Sequence, residues 1–350
     1  MPRAARDRDS CLARVPPSDS KIAVKRTMPQ IDGVEPRHET DGVTLSIVVP
    51  TKNRAAALGV LCRSILAQDT VPEELIIVDQ SATDDGVLET KKAIGQAPAS
   101  VAATMHLRYV RDAALKGANA ARNVGLDMAQ GDVVLFMDDD MELEDGCLRE
   151  LLTVYEDPRV GGVSAAVVNY ERPGPAFLWW SRTFMRGVFK DDRQPVYWAA
   201  RERRGGQPVV VSRFGAGAMS FRVAVVGSTR FDGSVGGVCP GEDVDFCQRL
   251  APGTKLVIAP NARVAHRYSE VGREHRRHRL KEFVQGNHYV YRRNWQGSLY
   301  NRLCFLWFNV GCVVWAGVSA MVRRNGEAWR VTCAGMREAG RITVDREESG

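Results

Sequence analysis

The chain has 350 residues, of which 44% are hydrophobic and 26% charged, so it can bury one large core or two modest ones. The formal net charge is +6, but the residues from Arg267 onward hold 15 Lys and Arg against 8 Asp and Glu, so the excess is local. A non-catalytic protein that binds nucleic acid through Arg267 to Arg293 is one interpretation of this segment, but we expect no nucleic-acid partner. Eight scattered cysteines without a C-x-x-C pair argue against a zinc cluster or a disulfide framework, and predict reduced, mostly buried thiols.

The N-terminal residues, 1–43, are rich in Pro, Arg and Asp and show no apolar periodicity, which predicts a disordered tail. The chain starts with positive charge, but no apolar run follows it. We therefore expect no cleavable export signal and a location on the cytoplasmic side of the membrane.

From Thr44 onward, short apolar strands alternate with helix-like segments, which predicts an α/β fold with a mostly parallel sheet flanked by helices. The predicted strands of this half are Leu45 to Val49, Glu74 to Val78, Met105 to Val110 and Val133 to Met137. The predicted helices are Ala55 to Gln68, residues 87–97, Gly117 to Gln130 and Glu144 to Glu156.

Three polar clusters follow the strands directly: Pro50 to Arg54, Asp79 to Asp85, and Asp138 to Asp140. Ligands of parallel sheets bind at the carboxyl ends of the strands. We therefore expect these three clusters to line one crevice.

The triplet Asp138 to Asp140 is the strongest single signal, because three adjacent carboxylates at the end of a buried strand repel one another unless a cation is bound. Oxygen ligands suit a hard divalent ion, Mg²⁺ or Mn²⁺, which takes further ligands from substrate phosphates. The alternative is an acidic turn that caps the next helix. We expect Asp138 and Asp140 to be the functional members and Asp139 to tolerate substitution best.

A second half runs from about Val160 to His266, with strands predicted at Gly161 to Val168, Val209 to Phe221 and Leu256 to Ala259. Between the first two of these strands, Pro173 to Gln207 is long, aromatic and basic. Two interpretations stay open for it: a functional lid or acceptor loop, or an α+β excursion whose aromatic side chains pack on the core.

A second acidic pair, Glu242 and Asp243, precedes a predicted helix from Val244 to Leu250. Acids at this position cap helices, and they also serve as general bases.

Farther on, residues 303–322 carry no charge over 20 residues, enough to span about 30 Å of hydrocarbon at ~1.5 Å per residue. A spanning helix, a helix that lies on the membrane surface and a buried helix all stay open, and the basic residues before it favour anionic lipid.

These motifs together resemble the family-2 glycosyltransferases with the GT-A nucleotide-sugar-binding fold. The resemblance rests on five segments in the right order and covers roughly residues 44–270. The segments are Ser46 to Arg54, Ile76 to Ser81, Gly117 to Gly125, Asp138 to Asp140, and Phe231-Asp232 followed by Gly241 to Asp245.

The resemblance implies an inverting, metal-dependent transfer of a sugar from a UDP-, GDP- or dTDP-sugar to a saccharide or lipid-linked acceptor. It implies that Asp243 is the catalytic base, with Glu242 in reserve. The donor-binding residues that it implies are Pro50, Thr51, Arg54, Asp79, Arg122, Asp138 and Gly217. The metal ligands that it implies are Asp138, Asp140 and His266.

The chain departs from the family pattern at Gln80, which replaces a common second acid after the second strand. The identity of the nucleobase in the donor therefore stays open. The Gln-x-x-Arg-Trp motif of processive members is absent from the sequence, so one or a few sugars should be added per acceptor. A sugar nucleotidyltransferase is the alternative, although Pro50 to Arg54 lacks the glycines of a triphosphate loop. A dehydrogenase is excluded because no G-x-G-x-x-G follows the first strand.

Three regions result: the tail 1–43, a GT-A domain 44–270, and a basic and apolar helical region 271–350 with a possible membrane helix at 303–322. The predicted role is synthesis of a cell-surface polysaccharide or glycolipid at the cytoplasmic face of the membrane.

Overall fold

The computed structural model describes residues 42–339, except 203–204, 216, 234–240, 268–278, 295–297, 323 and 325. The predicted N-terminal tail lies outside the described residues, apart from its last two positions. The predicted domain boundary at residue 270 also lies outside them and stays a prediction.

A nine-stranded sheet with the order β3-β2-β1-β4-β8-β6-β9-β5 forms the centre of the molecule, and β7 pairs with β9. The strands are β1 (Leu45–Thr51), β2 (Glu74–Asp79), β3 (His106–Arg111), β4 (Val133–Met137), β5 (Met141–Leu143), β6 (Val160–Val167), β7 (Val209–Val211), β8 (Ala218–Arg222) and β9 (Lys255–His266). Six strands run in one direction, and β5, β7 and β8 run against them. The α/β fold with a mostly parallel sheet is therefore confirmed.

Helices cover both faces of the sheet because the central strands, buried throughout, have apolar side chains pointing both ways. The helices of the first half are α1 (Ala55–Leu66), α2 (Asp85–Gly95), α3 (Ala99–Thr104), α4 (Ala118–Met128) and α5 (Cys147–Val154). One core cluster contains Ile47, Leu61 and Leu135, and the other contains Val48, Phe136 and Phe246. Alternate residues of β1 and β4 thus supply opposite faces, as the period of a strand requires.

The last strand of the sheet is longer than the sequence suggests. A four-residue strand was expected at Leu256 to Ala259, but β9 extends for 12 residues to His266. Its pairing with β6 shifts between Ala165 and Ala166, which lets the strand continue past Pro260. The extension pairs with β5, a strand that the acidic sequence around Glu142 did not predict.

The stretch from Pro173 to Gln207 is helical for most of its length, so the second of its two interpretations describes it. It contains α6 (Pro175–Phe184), a short 3-10 turn (Gly187–Phe189) and α7 (Gln194–Glu202). The side chains of Trp180, Phe184, Phe189 and Tyr197 are buried. The segment is held by aromatic packing.

The remaining helices are α8 (Val223–Val226), α9 (Glu242–Gln248), α10 (Arg279–Asn294), α11 (Leu299–Val322) and α12 (Glu327–Ala339). A third core cluster joins α6, α10 and α11 around Trp180, Tyr289 and Phe308. The predicted C-terminal helical region is confirmed for the part of the chain that the structure describes. All six cysteines in that part are free thiols, and five of them are buried.

Candidate active site

The ends of β2, β1 and β4 lie side by side, because these three strands are parallel neighbours. Thr51, the last residue of β1, donates a hydrogen bond from its hydroxyl to Asp139 Oδ2 at 2.6 Å. Arg54 Nη1 lies 3.0 Å from Asp139 Oδ1 and 3.1 Å from Asp140 Oδ2. The structure therefore brings the first and third polar clusters into direct contact, as the strand ends predict.

Asp139 is the residue for which the structure departs most from expectation. Its side chain is buried, and burial raises its pKa to about 6 even though the Thr51 hydroxyl and Arg54 oppose the rise. It holds the end of β1 against the end of β4. The prediction that Asp139 tolerates substitution best does not fit these contacts.

We expect Asp139→Ala to lower the free energy of unfolding by about 1–3 kcal/mol, because the buried Thr51 hydroxyl loses its acceptor. Urea denaturation measures this loss. Asp145→Ala, at an exposed carboxylate six residues away, is the control and should leave the midpoint unchanged. If the two variants unfold at the same urea concentration, Asp139 tolerates substitution as the sequence predicted.

Arg122 connects the two acidic motifs. Its Nη2 donates to Asp138 Oδ1 at 2.9 Å, and its Nη1 lies 3.2 Å from Glu242 Oε1. The side chain is only 2% exposed, and its guanidinium lies over the ring of Phe231. Burial by itself disfavours the charge, but the two carboxylates raise the Arg122 pKa above its ordinary value. Arg122 therefore stays a cation and holds α9 against the end of β4.

Glu242 and Asp243 begin α9 immediately after Gly241, whose φ of +101° favours glycine. Burial raises the pKa of Glu242 to about 7, against the opposing effect of Arg122 and with help from the negative charge of Asp243. Asp243 Oδ2 lies 3.3 Å from Arg193 Nη1, and its Oδ1 accepts a hydrogen bond from the Val244 N–H at 2.8 Å. The second acidic motif thus lies in the same site as the first.

Arg193 is a site residue that the sequence interpretation missed. It forms an ion pair with Asp191 at 3.0 Å and donates to the Phe214 carbonyl, so it is held on two sides before it reaches Asp243. Its signal was the charged run Lys190 to Arg193 within an otherwise aromatic stretch. The helical segment between β6 and β7 therefore positions one of the candidate catalytic carboxylates.

His266 reaches the site through the extended β9, because it pairs with Met141 of β5, next to Asp140. Its Nε2 lies 3.0 Å from Asp140 Oδ1, and the N–H of Arg267 donates to the Asp140 carbonyl at 2.7 Å. The expectation that His266 lies beside the aspartate triplet thus agrees with the geometry. Its metal role stays a prediction.

The donor atoms fit a divalent ion. Among the described residues, no three of His, Cys, Asp or Glu are already gathered around one point. Asp138 is 29% exposed, however, and within the described chain only its Oδ1 forms a hydrogen bond, which leaves Oδ2 open. Asp140 and His266 are already in contact. The two carboxylates suit Mn²⁺ or Mg²⁺, and the nitrogen of the imidazole is better suited to Mn²⁺ than to Mg²⁺.

Charge balance supports the same fit. The five carboxylates of the two motifs contact three guanidinium groups, those of Arg54, Arg122 and Arg193. Arg193 is also shared with Asp191, so when every carboxylate is ionised at least two formal negative charges are left over. A divalent cation would neutralise this excess.

Asp79 is less available than the sequence suggests. It is fully buried at the end of β2, where Oδ2 accepts from the Tyr109 hydroxyl at 2.6 Å and Oδ1 from the Ser81 N–H at 2.8 Å. Each oxygen can accept a second hydrogen bond, but a direct contact between Asp79 and the nucleobase stays a prediction and requires the buried carboxylate to become accessible. Its neighbour Gln80 has a buried Oε1 that accepts no hydrogen bond within the described residues.

Pro50 and Gly217 complete the predicted donor site. Pro50 lies in the buried part of β1, and the Gly217 carbonyl accepts a hydrogen bond from the Asp138 N–H at 3.2 Å. A Cβ on Gly217 would lie 2.8 Å from the terminal methyl group of Met141. Gly217 therefore allows β8 to approach the triplet closely.

The nine-stranded sheet and the acids at its strand ends define a GT-A fold. Two solved structures share it at low sequence identity. The mannosyltransferase PcManGT from Pyrobaculum calidifontis, in complex with GDP-Man and Mn²⁺, is 17% identical with a TM-score of 0.54 over 86% of this chain and 87% of that chain. Residues 1–349 of S. aureus TarS, in complex with UDP-GlcNAc, are 13% identical with a TM-score of 0.52 over 86% and 82%.

Residues 46–226 match the family model described as "Glycosyl transferase family 2", and since this is more than half of the chain, the protein belongs to that family. A Campylobacter jejuni GalNAc(5)-diNAcBac-PP-undecaprenol beta-1,3-glucosyltransferase is 36% identical over 109 residues, which are 31% of this chain and 33% of that protein. An uncharacterized glycosyltransferase of Haemophilus influenzae is 32% identical over 117 residues, or 33% and 36%. The chain matches these relatives over about a third of their length.

Proposed function

We propose that this protein is an inverting, metal-dependent glycosyltransferase that moves a sugar from a nucleotide-sugar donor to a hydroxyl group of a saccharide or lipid-linked acceptor. The observation that carries the proposal is the Arg122 bridge, because it joins Asp138 of the first motif to Glu242 of the second. A donor site and a catalytic base held next to each other are what a direct displacement needs.

The donor would lie along the ends of β1, β2 and β4. Thr51 and Arg54 stand at the first of these ends, and Gln80 offers an open acceptor at the second. A cavity of about 530 Å³ opens beside Asp140, with the cationic side chains of Arg63 and Arg267 in its wall. The wall also carries Asp140, Glu142 and Asp145, so the cavity offers room beside the aspartate triplet but no net positive charge of its own.

The chemistry follows from the position of Asp243. Its carboxylate takes the proton of the acceptor hydroxyl as that oxygen forms a bond to the anomeric carbon. The bond from this carbon to the diphosphate oxygen breaks on the opposite side, and its electron pair leaves with the diphosphate. The sugar configuration is therefore inverted. A divalent ion held by Asp138, Asp140 and His266 would supply charge neutralisation for the leaving diphosphate.

Membership of the family favours sugar transfer over the nucleotidyl transfer that was the alternative. The two solved neighbours hold GDP-Man with Mn²⁺ and UDP-GlcNAc, and one relative is named for an undecaprenol-linked acceptor. These observations support a nucleotide-sugar donor and a lipid-linked acceptor. We place the reaction at the cytoplasmic face of the membrane, in the synthesis of a cell-surface polysaccharide or glycolipid, with one or a few sugars added per acceptor.

Donor binding should be measurable as thermal stabilisation. With Mn²⁺ present and one nucleotide sugar at about 100 times its Kd, we expect about 2.7 kcal/mol of stabilisation, which raises the Tm of a chain of this length by roughly 4 °C. A panel of UDP-, GDP- and dTDP-sugars identifies the donor. The shift should shrink in EDTA and in Asp140→Ala. If no member of the panel raises the Tm with Mn²⁺ or Mg²⁺, the proposed donor class is wrong.

A further inference from the structure

Helix α11 has a long exposed apolar face. By length and composition it could cross a membrane, yet part of it is buried against the protein. The exposed face follows helical spacing through Leu303, Leu306, Val310, Val313 and Met321. At ~1.5 Å per residue the 24-residue helix is about 36 Å long. An exposed apolar surface of this length indicates a partner that covers it.

The opposite face of α11 packs against the rest of the protein, and the polar groups on that face form hydrogen bonds with it. The indole N–H of Trp180 donates to the Gly311 carbonyl at 2.6 Å, and a side chain on Gly311 would collide with the ring of Phe184. Asn309 Oδ1 lies 2.8 Å from His288 Nε2 of α10. The one polar amide in the middle of α11 is therefore directed inward.

Helix α10 is in turn held by the candidate active site. Arg293 pairs with Asp232 at 3.0 Å, and the Asn294 amide donates to Asp245 Oδ1 of α9 at 2.8 Å. A spanning α11 would either lose these contacts or draw a charged α10 into the hydrocarbon, where each Arg costs about 2.5–3.5 kcal/mol or more. This geometry disfavours a spanning helix.

The edge of the exposed face has the side chains that membrane interfaces favour. Trp179 and Trp307 are both exposed, and Trp307 donates its indole N–H to the Thr183 carbonyl at 2.9 Å. Arg186 donates to the same carbonyl at 3.1 Å, so a cation lies beside the indole. Indoles with neighbouring cations suit the headgroup region of an anionic bilayer.

We propose that α11 lies in the plane of an anionic bilayer. The face from Leu303 to Met321 enters the boundary between headgroups and acyl chains, and the face at Gly311 stays on the catalytic domain. The inference rests on the proposed membrane location and refines it. It does not depend on sugar transfer, so its tests contain no sugar, and its failure can be told apart from failure of the proposed activity.

Vesicle flotation of the purified full chain tests whether the exposed face of α11 binds lipid. We expect binding to phosphatidylcholine vesicles that contain phosphatidylglycerol, and about tenfold or more weaker binding without it. Leu306→Glu and Val310→Glu should each reduce binding about tenfold or more. Leu88→Glu, on the exposed side of α2, is the matched control and should bind as the unaltered protein does. Absence of vesicle binding, or equal loss in the control, would overturn the proposal.

The topology of α11 separates the in-plane helix from a spanning one. Ser298→Cys and Gly326→Cys each place a thiol at an exposed position, one at either end of α11. An impermeant maleimide then labels these thiols in sealed membrane vesicles from expressing cells. The unaltered protein gives the background. Both positions should label from the same side of the membrane, and labelling from opposite sides contradicts the proposal. The proposal is also contradicted if the protein forms a dimer in the absence of lipid and Leu306→Glu dissociates that dimer. A second copy of the chain would then cover the exposed face of α11.

Discussion

Asp243→Asn is expected to lower kcat for sugar transfer by about 10²–10⁴-fold, the usual contribution of a general base, while donor affinity changes little. The amide keeps the size of the side chain and still accepts the Val244 N–H, but it cannot take a proton from the acceptor. Product formation under saturating donor gives kcat, and thermal shift gives donor affinity. Asp127→Asn, at an exposed carboxylate on α4, is the matched control.

Glu242→Gln separates the two candidate bases. If Asp243 is the base, Glu242→Gln keeps most of kcat, because the amide oxygen can still accept from Arg122. Should Glu242→Gln show the larger loss in kcat and Asp243→Asn a small one, the two roles are exchanged. The pKa of Glu242 near 7 makes this comparison necessary, since a base works best near its operating pH.

Arg122→Met is expected to destabilise the protein by about 3–5 kcal/mol, because the neutral side chain leaves Asp138 and Glu242 without a buried counter-charge. Equilibrium denaturation measures the loss, and transfer activity should fall with it. Arg159→Met removes an exposed arginine that pairs with Asp157, and it should leave the stability essentially unchanged.

A double variant distinguishes a structural bridge from a direct contact with the nucleotide. Arg122→Met combined with Glu242→Gln removes one of the two orphaned charges, so it should recover part of the lost stability. If Arg122→Met instead keeps full stability and only weakens donor binding, then Arg122 contacts the nucleotide directly. The interpretation of Arg122 as a bridge would then be wrong.

The strand ends could be predicted from the sequence for a simple physical reason. The segments that became β1, β2 and β4 are apolar for most of their length and end abruptly in polar residues, as is typical of strands buried on both faces. Parallel pairing then aligns their ends. By contrast, β5 has only three residues, one of them Glu142, so no local pattern marks it as a strand.

The position of His266 and the burial of Arg122 depend on distant partners. His266 reaches Asp140 only because β9 continues past Pro260, and that continuation is fixed by its pairing with β6 and β5. Arg122 has no acid three or four residues away on α4, which favoured a solvated arginine or a ligand contact. The partners of Arg122 are instead Asp138 and Glu242, which lie 16 and 120 residues away in the sequence.

The aromatic segment held a signal that was overlooked. Phe177, Trp180 and Phe184 follow one another at helical intervals of three and four residues, and this spacing predicts one face of a helix. In the structure α6 presents Trp180 and Phe184 to α11. The loop interpretation was based instead on the length of the stretch and its weak overall periodicity.

The segment that connects α6 to Arg193 is held at both ends. Phe184 packs against Trp307 of α11 at one end with its ring tilted, Phe189 lies flat against Phe308 midway, and Arg193 contacts Asp243 at the other end. With α11 in the bilayer plane, as proposed, the ten residues from Phe184 to Arg193 would set the height of Asp243, the proposed base, above the lipid. An acceptor would then be selected by the length of the spacer between its lipid anchor and its reactive hydroxyl.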